Sequence, residues 1–293
     1  MSVPVSERPE GAPRPAAYWL RRLRSDPMGA VGLVLVCIMV FCGLFAPWIT
    51  PYDPMAIDVP QRFQPPSLTY LMGTDNLGRD IFSRIIAGSR IALIVGVGSI
   101  AIALVLGLML GLLAGYGPRW LDNALMLLFD AVYSFPTVIL GLTVVAMLGT
   151  SLMTLMIVVV VIQTPAYARL TRTATLQIKT SEYVEAVESL GASKLRIITV
   201  HLLPNVMGPL LIVASMDIPA VVALEAGLTY LGMGLPPPAP SWGRILQEGF
   251  GQIRVAPWIV VAGGIPLILI TLGFTFLGES LRDNLDPKLR RVL

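Results

Sequence analysis

Residues 91–116 read IALIVGVGSIAIALVLGLMLGLLAGY, an apolar stretch of 26 residues with no charged side chain. As an α-helix it rises 1.5 Å per residue and is about 39 Å long, enough to cross the roughly 30 Å of bilayer hydrocarbon. Ala103, Gly107, Gly111 and Gly115 recur at four-residue steps. That spacing places small residues on one face, where the backbone of a neighbouring helix can approach closely. The stretch therefore predicts a transmembrane helix that packs tightly on another helix.

The rest of the chain has the same apolar character. Of its 293 residues, 55% are hydrophobic and 13% are charged, whereas soluble domains carry about a quarter charged residues. The first apolar stretch is too long for the core of a signal peptide and predicts an uncleaved membrane anchor. We predict an all-α, polytopic membrane protein with six transmembrane helices, near residues 28–50, 91–116, 121–148, 152–168, 205–234 and 257–278.

The placement of lysine and arginine predicts the orientation of these helices. With a cytoplasmic N-terminus, 15 of the 21 lysines and arginines lie on the cytoplasmic side, in agreement with the positive-inside rule. Charges placed between apolar stretches suit a membrane topology better than a nucleic-acid-binding face. The predicted layout is a cytoplasmic tail at 1–27, a first helix at 28–50, an external segment at 51–90, a core at 91–280 that contains a cytoplasmic loop at 169–204, and a cytoplasmic tail at 281–293.

One cytoplasmic segment is long and charged: SEYVEAVESLGASKLRIITVHLLPN, residues 181–205. Its pattern predicts two short helices. Acidic residues suit the first turn of the first helix because carboxylates stabilise the positive end of the helix dipole, and Gly191 suits its end. Ser193 can cap the second helix. That helix is expected to end before Pro204, because proline has no amide proton with which to continue it.

The first of these helices has an apolar stripe that needs a partner, and the alternatives are a lipid surface and another protein. Anionic lipid would repel the glutamates of the same helix. A protein partner is therefore favoured. The stripe consists of Tyr183, Val184, Val187 and Leu190, and the glutamates are Glu182, Glu185 and Glu188.

This segment also resembles a family motif. EAVESLG followed by LLPN is similar to the EAA loop of inner-membrane permease subunits of binding-protein-dependent ABC importers. The resemblance implies a helix–turn–helix that lies in a groove of the ATPase subunit and passes its motion to the membrane helices. The matching residues are Glu185, Ala186, Gly191, Leu203 and Pro204, whereas Val187 and His201 depart from the pattern.

Four further stretches are similar to one branch of that family, the C-type permease subunit of dipeptide and oligopeptide importers. They are APWITPYDP (46–54), GTDNLGRDIFSRIIAGSR (73–90), LTYLGMGLPPPAPSWGRIL (228–246) and LGESLRDNLDPKLR (277–290). The resemblance implies a type I ABC importer permease fold in the bacterial inner membrane, forming half of a translocation pathway for di- or oligopeptides. It also implies a heterodimer with a second permease subunit, one or two ABC ATPase subunits, an external substrate-binding protein, a peptide substrate and surrounding membrane lipid.

The chain itself is not expected to be an enzyme. It has no Gly-x-x-x-x-Gly-Lys-Ser/Thr loop to hold phosphates, since GASKLR (191–196) lacks the second glycine and the final hydroxyl residue. The single histidine, His201, and the two cysteines match no metal or nucleophile pattern. We therefore expect no catalytic residue, no metal and no cofactor, with ATP and Mg²⁺ bound by the partner ATPase subunits.

Three acidic residues fall inside predicted membrane helices: Asp130, Asp217 and Glu225. Carboxylates at membrane depth are costly and usually face protein or a water-filled cavity. They can line the translocation pathway and bind the amine or amides of a peptide, or they can bond to neighbouring helices and hold a gate shut. Glu225 is expected to be a gate or interface group, because the resembling family carries a Glu before the run that matches LTYLG here.

Two other groups leave alternatives open. Arg79, Asp80 and Arg84 lie on the predicted outer side, where they can contact a docked binding protein or bond to each other and fix the start of the second membrane helix. Prolines inside the apolar stretches are expected to kink their helices. These are Pro136, Pro209 and Pro219.

The sequence leaves the substrate open. Nickel or another small solute is an alternative cargo within the same family. A proton-driven secondary transporter that uses Asp130 and Asp217 is an alternative from another class. Such transporters often show internal repeats and more spans, and this chain shows no clear repeat.

Overall fold

The computed structural model describes residues 26–285, which are almost entirely helical, and no strand occurs among them. The predicted tails at 1–27 and 281–293 lie mostly outside these residues. Two π-helical segments, Ile94–Gly98 and Ile197–Leu202, each join two consecutive α-helices. The α-helices are α1 (Pro27–Ile49), α2 (Ile81–Leu93), α3 (Ser99–Tyr116), α4 (Arg119–Tyr133), α5 (Thr137–Leu148), α6 (Leu152–Lys179), α7 (Glu182–Ser189), α8 (Lys194–Arg196), α9 (Leu203–Tyr230), α10 (Trp242–Gly251) and α11 (Trp258–Leu285).

Five helical units are long and apolar enough to cross a membrane. α4 and α5 make a sixth if they are taken as one broken span, since they meet at a bend of 92°. Pro136 lies at this break, as the N-cap residue of α5. The predicted all-α membrane protein with six spans is therefore confirmed, with the third span broken. The five continuous units are Pro27–Ile49, Ile81–Tyr116, Leu152–Lys179, Lys194–Tyr230 and Trp258–Asp283.

The second and fourth spans are longer than predicted, and both extensions carry arginine. The second span begins at Ile81 and not near residue 91, so the external segment predicted at 51–90 gives way to helix before its end. The fourth continues past residue 168 to Lys179, so the predicted loop 169–204 begins inside a helix. The hydropathy pattern excludes these arginines from a span. In the structure carboxylates neutralise three of these charges: Arg84 pairs with Asp75, Arg169 with Asp130, and Arg172 with Asp122.

The four-residue glycine spacing of α3 forms a close seam with α6, as predicted. A Cβ atom on Gly107 would lie 2.5 Å from the Cβ of Tyr167, and one on Gly111 would lie 2.4 Å from the carbonyl oxygen of Ala168. No side chain fits between the two backbones at these points. The seam fixes α6 on α3 and so fixes the polar side chains that α6 presents to α4 and α9.

Two apolar clusters lie at opposite ends of the helical unit α2–α3, whose 36 residues span about 54 Å. The first cluster is built around Val184, Ile197 and Leu202, against the end of α3. The second cluster joins the start of α2 to α10 and the start of α11. We call the end with the second cluster the distal end. It also carries the segment 51–80.

Candidate functional site

The residues of the family motif lie at the end of the bundle where α3 and α6 end and α9 begins. Residues 181–204 are called the coupling segment below. After α7, Gly191 has a φ of +84°, a backbone angle that residues with side chains rarely adopt. Ser193 is the N-cap of α8, and its hydroxyl accepts a hydrogen bond from the Arg196 amide at 3.4 Å. The predicted first helix, glycine turn and capped second helix are all present.

The prediction that the second helix ends before Pro204 is wrong. Lys194–Tyr230 form one continuous helical unit of 37 residues. The π-helical segment Ile197–Leu202 comes directly before Pro204, which occupies the first turn of α9. Proline is tolerated in the first turn of an α-helix, and the π segment provides such a first turn inside a continuous helix. The coupling segment is therefore joined to α9 through helical backbone, with no flexible linker.

The sequence predicts that the apolar stripe of α7 is covered by a partner protein, and this is only partly right. Val184 is buried against Ile197 and Leu202, and Val187 packs on the same cluster. The chain covers this part of the stripe because the residues after Gly191 fold back over α7. The outer part remains available, since Leu190 is 88% exposed.

The exposed face of the coupling segment combines carboxylates with apolar side chains. Glu185 and Ala186 are exposed, and so are Tyr183 and Leu195. No ion pair to a glutamate of α7 occurs within residues 26–285. The surface therefore has free acceptors beside apolar contact area, a combination that suits a protein partner.

Two of the three predicted intramembrane acids lie in one group, which we call the polar cluster: Asp130, Tyr133, Tyr167, Arg169 and Asp217. Arg169 Nη2 donates to Asp130 Oδ1 at 2.5 Å, and its guanidinium carbon lies 4.8 Å from the centre of the Tyr133 ring. Tyr167 Oη donates to Asp217 Oδ2 at 2.9 Å. Tyr167 and Arg169 are two residues apart on α6, so the two bonded pairs lie within one helical turn of each other along that helix. The cluster brings together α4, α6 and α9.

Tyr133 and Tyr167 had no predicted role, and Arg169 was predicted to lie in the cytoplasmic loop. The sequence does contain a signal for the role of Arg169 and Tyr167. Arg169 lies just after an apolar run and only two residues after Tyr167. Polar side chains at that spacing in a membrane helix indicate contact with other polar groups rather than with lipid.

Glu225 is separate from the polar cluster. It is 2% exposed and accepts hydrogen bonds from Thr229 Oγ1 at 2.8 Å and from Ser241 Oγ at 3.0 Å. Ser241 is the N-cap residue of α10. Glu225 therefore ties α9 to α10 at the distal end, and the structure does not bring it to Asp130 or Asp217.

The two outer arginines belong to a buried ionic network of Asp75, Arg79, Arg84 and Glu248. Arg79 Nε pairs with Asp75 Oδ2 at 2.7 Å, and Arg84 Nη1 pairs with Glu248 Oε2 at 2.8 Å and also with Asp75. Arg79 Nη2 reaches Glu248 at 3.1 Å. Both arginines are thus buried between α2 and α10, away from a docked protein. The sequence did not identify Asp75 and Glu248 as their partners.

Asp80, the third member of the predicted outer group, has a different role from the arginines. Its Oδ2 atom accepts hydrogen bonds from the Ser83 amide at 2.8 Å and from the Ser83 hydroxyl at 2.6 Å. It is the N-cap of α2. The Asp80 side chain therefore fixes the start of the second span without bonding to the side chains of Arg79 or Arg84.

The described residues offer hydrogen-bonding and ion-pairing groups at these sites. No group of three or more His, Cys, Asp or Glu side chains is arranged to hold a metal ion within residues 26–285. His201 lies in the coupling segment, with its ring centre 6.0 Å from that of Tyr183.

Two family models match the chain. Residues 107–291 match the family described as binding-protein-dependent transport system inner membrane component. Residues 15–66 match the N-terminal transmembrane domain of oligopeptide transport permease C.

Relatives align with almost the whole chain. It is 37% identical to the di/tripeptide transport system permease protein DppC of Pseudomonas aeruginosa, over 99% of this chain and 98% of that protein. It is 34% identical to the dipeptide transport system permease protein DppC of Alkalihalophilus pseudofirmus, over 98% of this chain and 95% of that protein. It is 36% identical to the glutathione transport system permease protein GsiD of Pectobacterium atrosepticum, over 93% of this chain and 91% of that protein.

A similar fold occurs in a solved structure. A chain of the MetNI methionine ABC transporter, in inward-facing conformations, matches with a TM-score of 0.56 and 21% identity, over 68% of this chain and 95% of that chain. At this identity the likeness shows a shared fold.

Proposed function

This chain belongs to the family of binding-protein-dependent transport system inner membrane components, and we propose that it forms half of the translocation pathway of an ATP-driven peptide importer. Three relatives that align over more than nine tenths of the chain are named for di/tripeptide, dipeptide and glutathione transport. They support di- or oligopeptides as the cargo, ahead of nickel or another small solute. The family matches give no support to a proton-driven secondary transporter.

One observation carries the mechanism: the exposed coupling segment continues as helix into α9. Lys194–Tyr230 are a single helical unit, so a displacement of α8 by a partner is passed along the backbone into the membrane. In the proposed mechanism the ATPase subunits close and open on the coupling segment as they bind and hydrolyse ATP. The resulting motion of α9 alternates the pathway between its inward- and outward-facing states.

The proposal assigns roles to particular residues. Glu185 and Ala186 contact the ATPase, Gly191 provides the turn, and Leu203 and Pro204 begin the membrane helix that receives the motion. The acidic residues of the path or gate are Asp130, Asp217 and Glu225.

The proposal also includes the partner subunits of the chain and its orientation in the membrane. The chain forms a heterodimer with a second permease subunit and binds one or two ABC ATPase subunits, which hold ATP and Mg²⁺. An external binding protein delivers the cargo at the distal end. Both termini are cytoplasmic in the bacterial inner membrane, and the chain itself carries out no catalysis. The arginine and lysine distribution supports this orientation.

Charge reversal in the coupling segment tests the proposal. Glu185→Arg and, separately, Gly191→Pro are introduced into the complete importer, and ATPase copurification and ATP-dependent peptide uptake are measured. Asp58→Arg is the matched control, because Asp58 is an exposed carboxylate in the segment 51–80. We expect both coupling variants to insert normally but to lose the ATPase and uptake, and the control to retain the ATPase. Full copurification and uptake with Glu185→Arg would contradict the proposed coupling site.

A further inference from the structure

The charged residues of the polar cluster lie deep in the membrane-spanning region. Arg169 lies ten residues before the end of α6, Asp217 fourteen residues after the start of α9, and Asp130 eleven residues after the start of α4. At 1.5 Å per residue these positions are about 15, 21 and 17 Å from the helix ends on the coupling-segment side. All three charges therefore lie inside candidate membrane-spanning helices, well away from the ends on the coupling-segment side.

These charges are open on one side of the chain. The Asp130 side chain is 66% exposed and the Arg169 side chain is 37% exposed, and Asp217 is only partly buried. Ionisable side chains at this depth are expensive in lipid and almost always face protein or a water-filled cavity. The open side of the polar cluster therefore faces the pathway or the subunit that closes it.

The charges of the cluster do not cancel. Asp130 neutralises Arg169, but no cation pairs with Asp217 within residues 26–285, where its hydrogen bond comes from the Tyr167 hydroxyl. The Arg169 side chain is 37% exposed, and within residues 26–285 its guanidinium bonds to Asp130 through Nη2 alone. The cluster thus offers one carboxylate without a counter-charge and, on a neighbouring helix, one partly exposed guanidinium.

These two groups are complementary to the two ends of a zwitterion. We propose that the polar cluster binds the charged termini of a peptide in transit, with Asp217 binding the α-ammonium group and Arg169 the α-carboxylate. The planar guanidinium matches the geometry of a carboxylate, and the Tyr167 hydroxyl holds Asp217 in position. This inference rests on the proposed function, since it requires that the chain line a peptide pathway.

Asp130 makes the binding reversible. Between cargo molecules it keeps the charge of Arg169 neutralised, and during passage it competes with the peptide carboxylate for the same guanidinium. A transport site must bind strongly enough for cargo to enter and weakly enough for cargo to leave. Competition from Asp130 meets the second requirement.

The test uses the assembled importer in lipid nanodiscs without its binding protein. A labelled dipeptide is displaced by the free dipeptide, its N-acetyl form or its C-terminal amide. Each blocked form is expected to compete about tenfold or more weakly, because it loses one charge-assisted contact. Asp217→Asn is expected to remove the preference for a free amine only, and Arg169→Gln the preference for a free carboxylate only.

A matched control separates a binding role from a structural one. Asp122 of α4 and Arg172 of α6 form an ion pair outside the polar cluster. Arg172 Nε lies 2.5 Å from Asp122 Oδ1, and Arg172 Nη2 lies 2.6 Å from Asp122 Oδ2. Asp122→Asn is expected to leave both preferences unchanged. If Asp217→Asn and Arg169→Gln leave both preferences intact, Asp217 and Arg169 do not bind the peptide termini. The same conclusion follows if each variant weakens the binding of the free, N-acetylated and amidated dipeptides equally.

Uptake decides the question if direct binding is below detection. In proteoliposomes with saturating binding protein, both variants are expected to lose at least about tenfold in maximal uptake rate while the ATPase still copurifies. Unchanged rates would overturn the inference. A wild-type importer that takes up no peptide would refute the proposed function itself, whereas wild-type uptake with unaffected variants would refute only the role of the polar cluster.

Discussion

Replacing Asp75 with asparagine is expected to destabilise the distal end, because this carboxylate holds the buried ionic network together. It accepts hydrogen bonds from the Leu77 amide at 2.8 Å and the Arg79 amide at 3.0 Å. It also pairs with the side chains of Arg79, at 2.7 Å, and Arg84. The side chains of Asp75 and Arg84 are each 1% exposed, so water cannot replace a lost partner.

The size of the effect follows from this burial. Removing one partner of a buried ion pair costs about 3–5 kcal/mol, because the remaining charge stays buried. In Asp75→Asn two guanidiniums are left to share Glu248, which is 20% exposed and therefore more screened by solvent. We expect a loss of about 3–5 kcal/mol for Asp75→Asn and a smaller loss, about 1–3 kcal/mol, for Glu248→Gln.

Thermal unfolding of the purified importer in nanodiscs measures these losses. Asp58→Asn is the matched control, since it removes an exposed carboxylate from the same segment. The expected order of unfolding midpoints is Asp58→Asn highest, then Glu248→Gln, then Asp75→Asn. Adding Arg84→Met to Asp75→Asn is expected to restore part of the loss, because it removes a buried charge. A midpoint for Asp75→Asn equal to that of the control would refute this reasoning.

Three further substitutions, the first two paired with a control variant, test the helix seam, the glycine turn and the distal packing. Gly111→Ala is expected to cost about 1–3 kcal/mol through its clash with the backbone of α6, whereas Gly264→Ala, which meets nothing within 4 Å, is expected to be neutral or stabilising in the same unfolding assay. Gly191→Ala is expected to weaken ATPase copurification about fivefold to thirtyfold, the cost of a left-handed backbone angle. Gly191→Asn is expected to retain most of the binding, and equal losses would contradict a backbone cause. Trp242→Phe removes the hydrogen bond from its indole nitrogen to the Ile85 carbonyl at 3.0 Å, and is expected to lower the unfolding midpoint by the equivalent of about 1–3 kcal/mol.

The fold could be predicted where its cause is local. The first span was predicted from residue 28 and begins at Pro27, and the last was predicted from 257 and begins at Trp258. Apolar length alone decides such positions. The seam between α3 and α6 was also predictable, because its glycines repeat on one face of a single helix.

The errors in the predicted span boundaries arose where a partner distant in sequence lowers the free-energy cost of placing a charge inside a helix. Hydropathy counts Arg84 and Arg169 as loop residues because it adds each side chain's cost separately. In the structure Asp75 neutralises the first and Asp130 the second, so both fit inside helices. The continuous helix through Pro204 was missed for a related reason, since the π segment before it packs through Ile197 and Leu202 on Val184 of α7, a contact that a local pattern does not show.

The candidate sites divide in the same way. The proposed coupling residues from Glu185 to Pro204 form a linear motif, so the sequence alone is enough to propose them, and they stay a prediction. The polar cluster is assembled from three helices, and its two bonded pairs join residues 39 and 50 positions apart. The sequence could name Asp130 and Asp217 as costly in a membrane, but only the packing of α6 shows that Arg169 and Tyr167 hold them.

Site-specific photocrosslinking in cells tests whether the coupling segment is the surface on which the ATPase acts. A photoreactive phenylalanine analogue is placed at Ala186, in the exposed face of α7, or at Leu68, which is 99% exposed in the distal segment. We expect irradiation to join the chain to the ATPase from position 186 and never from position 68. An ATPase adduct from position 68, or none from position 186 in an importer that still takes up peptide, would contradict the proposed coupling and orientation.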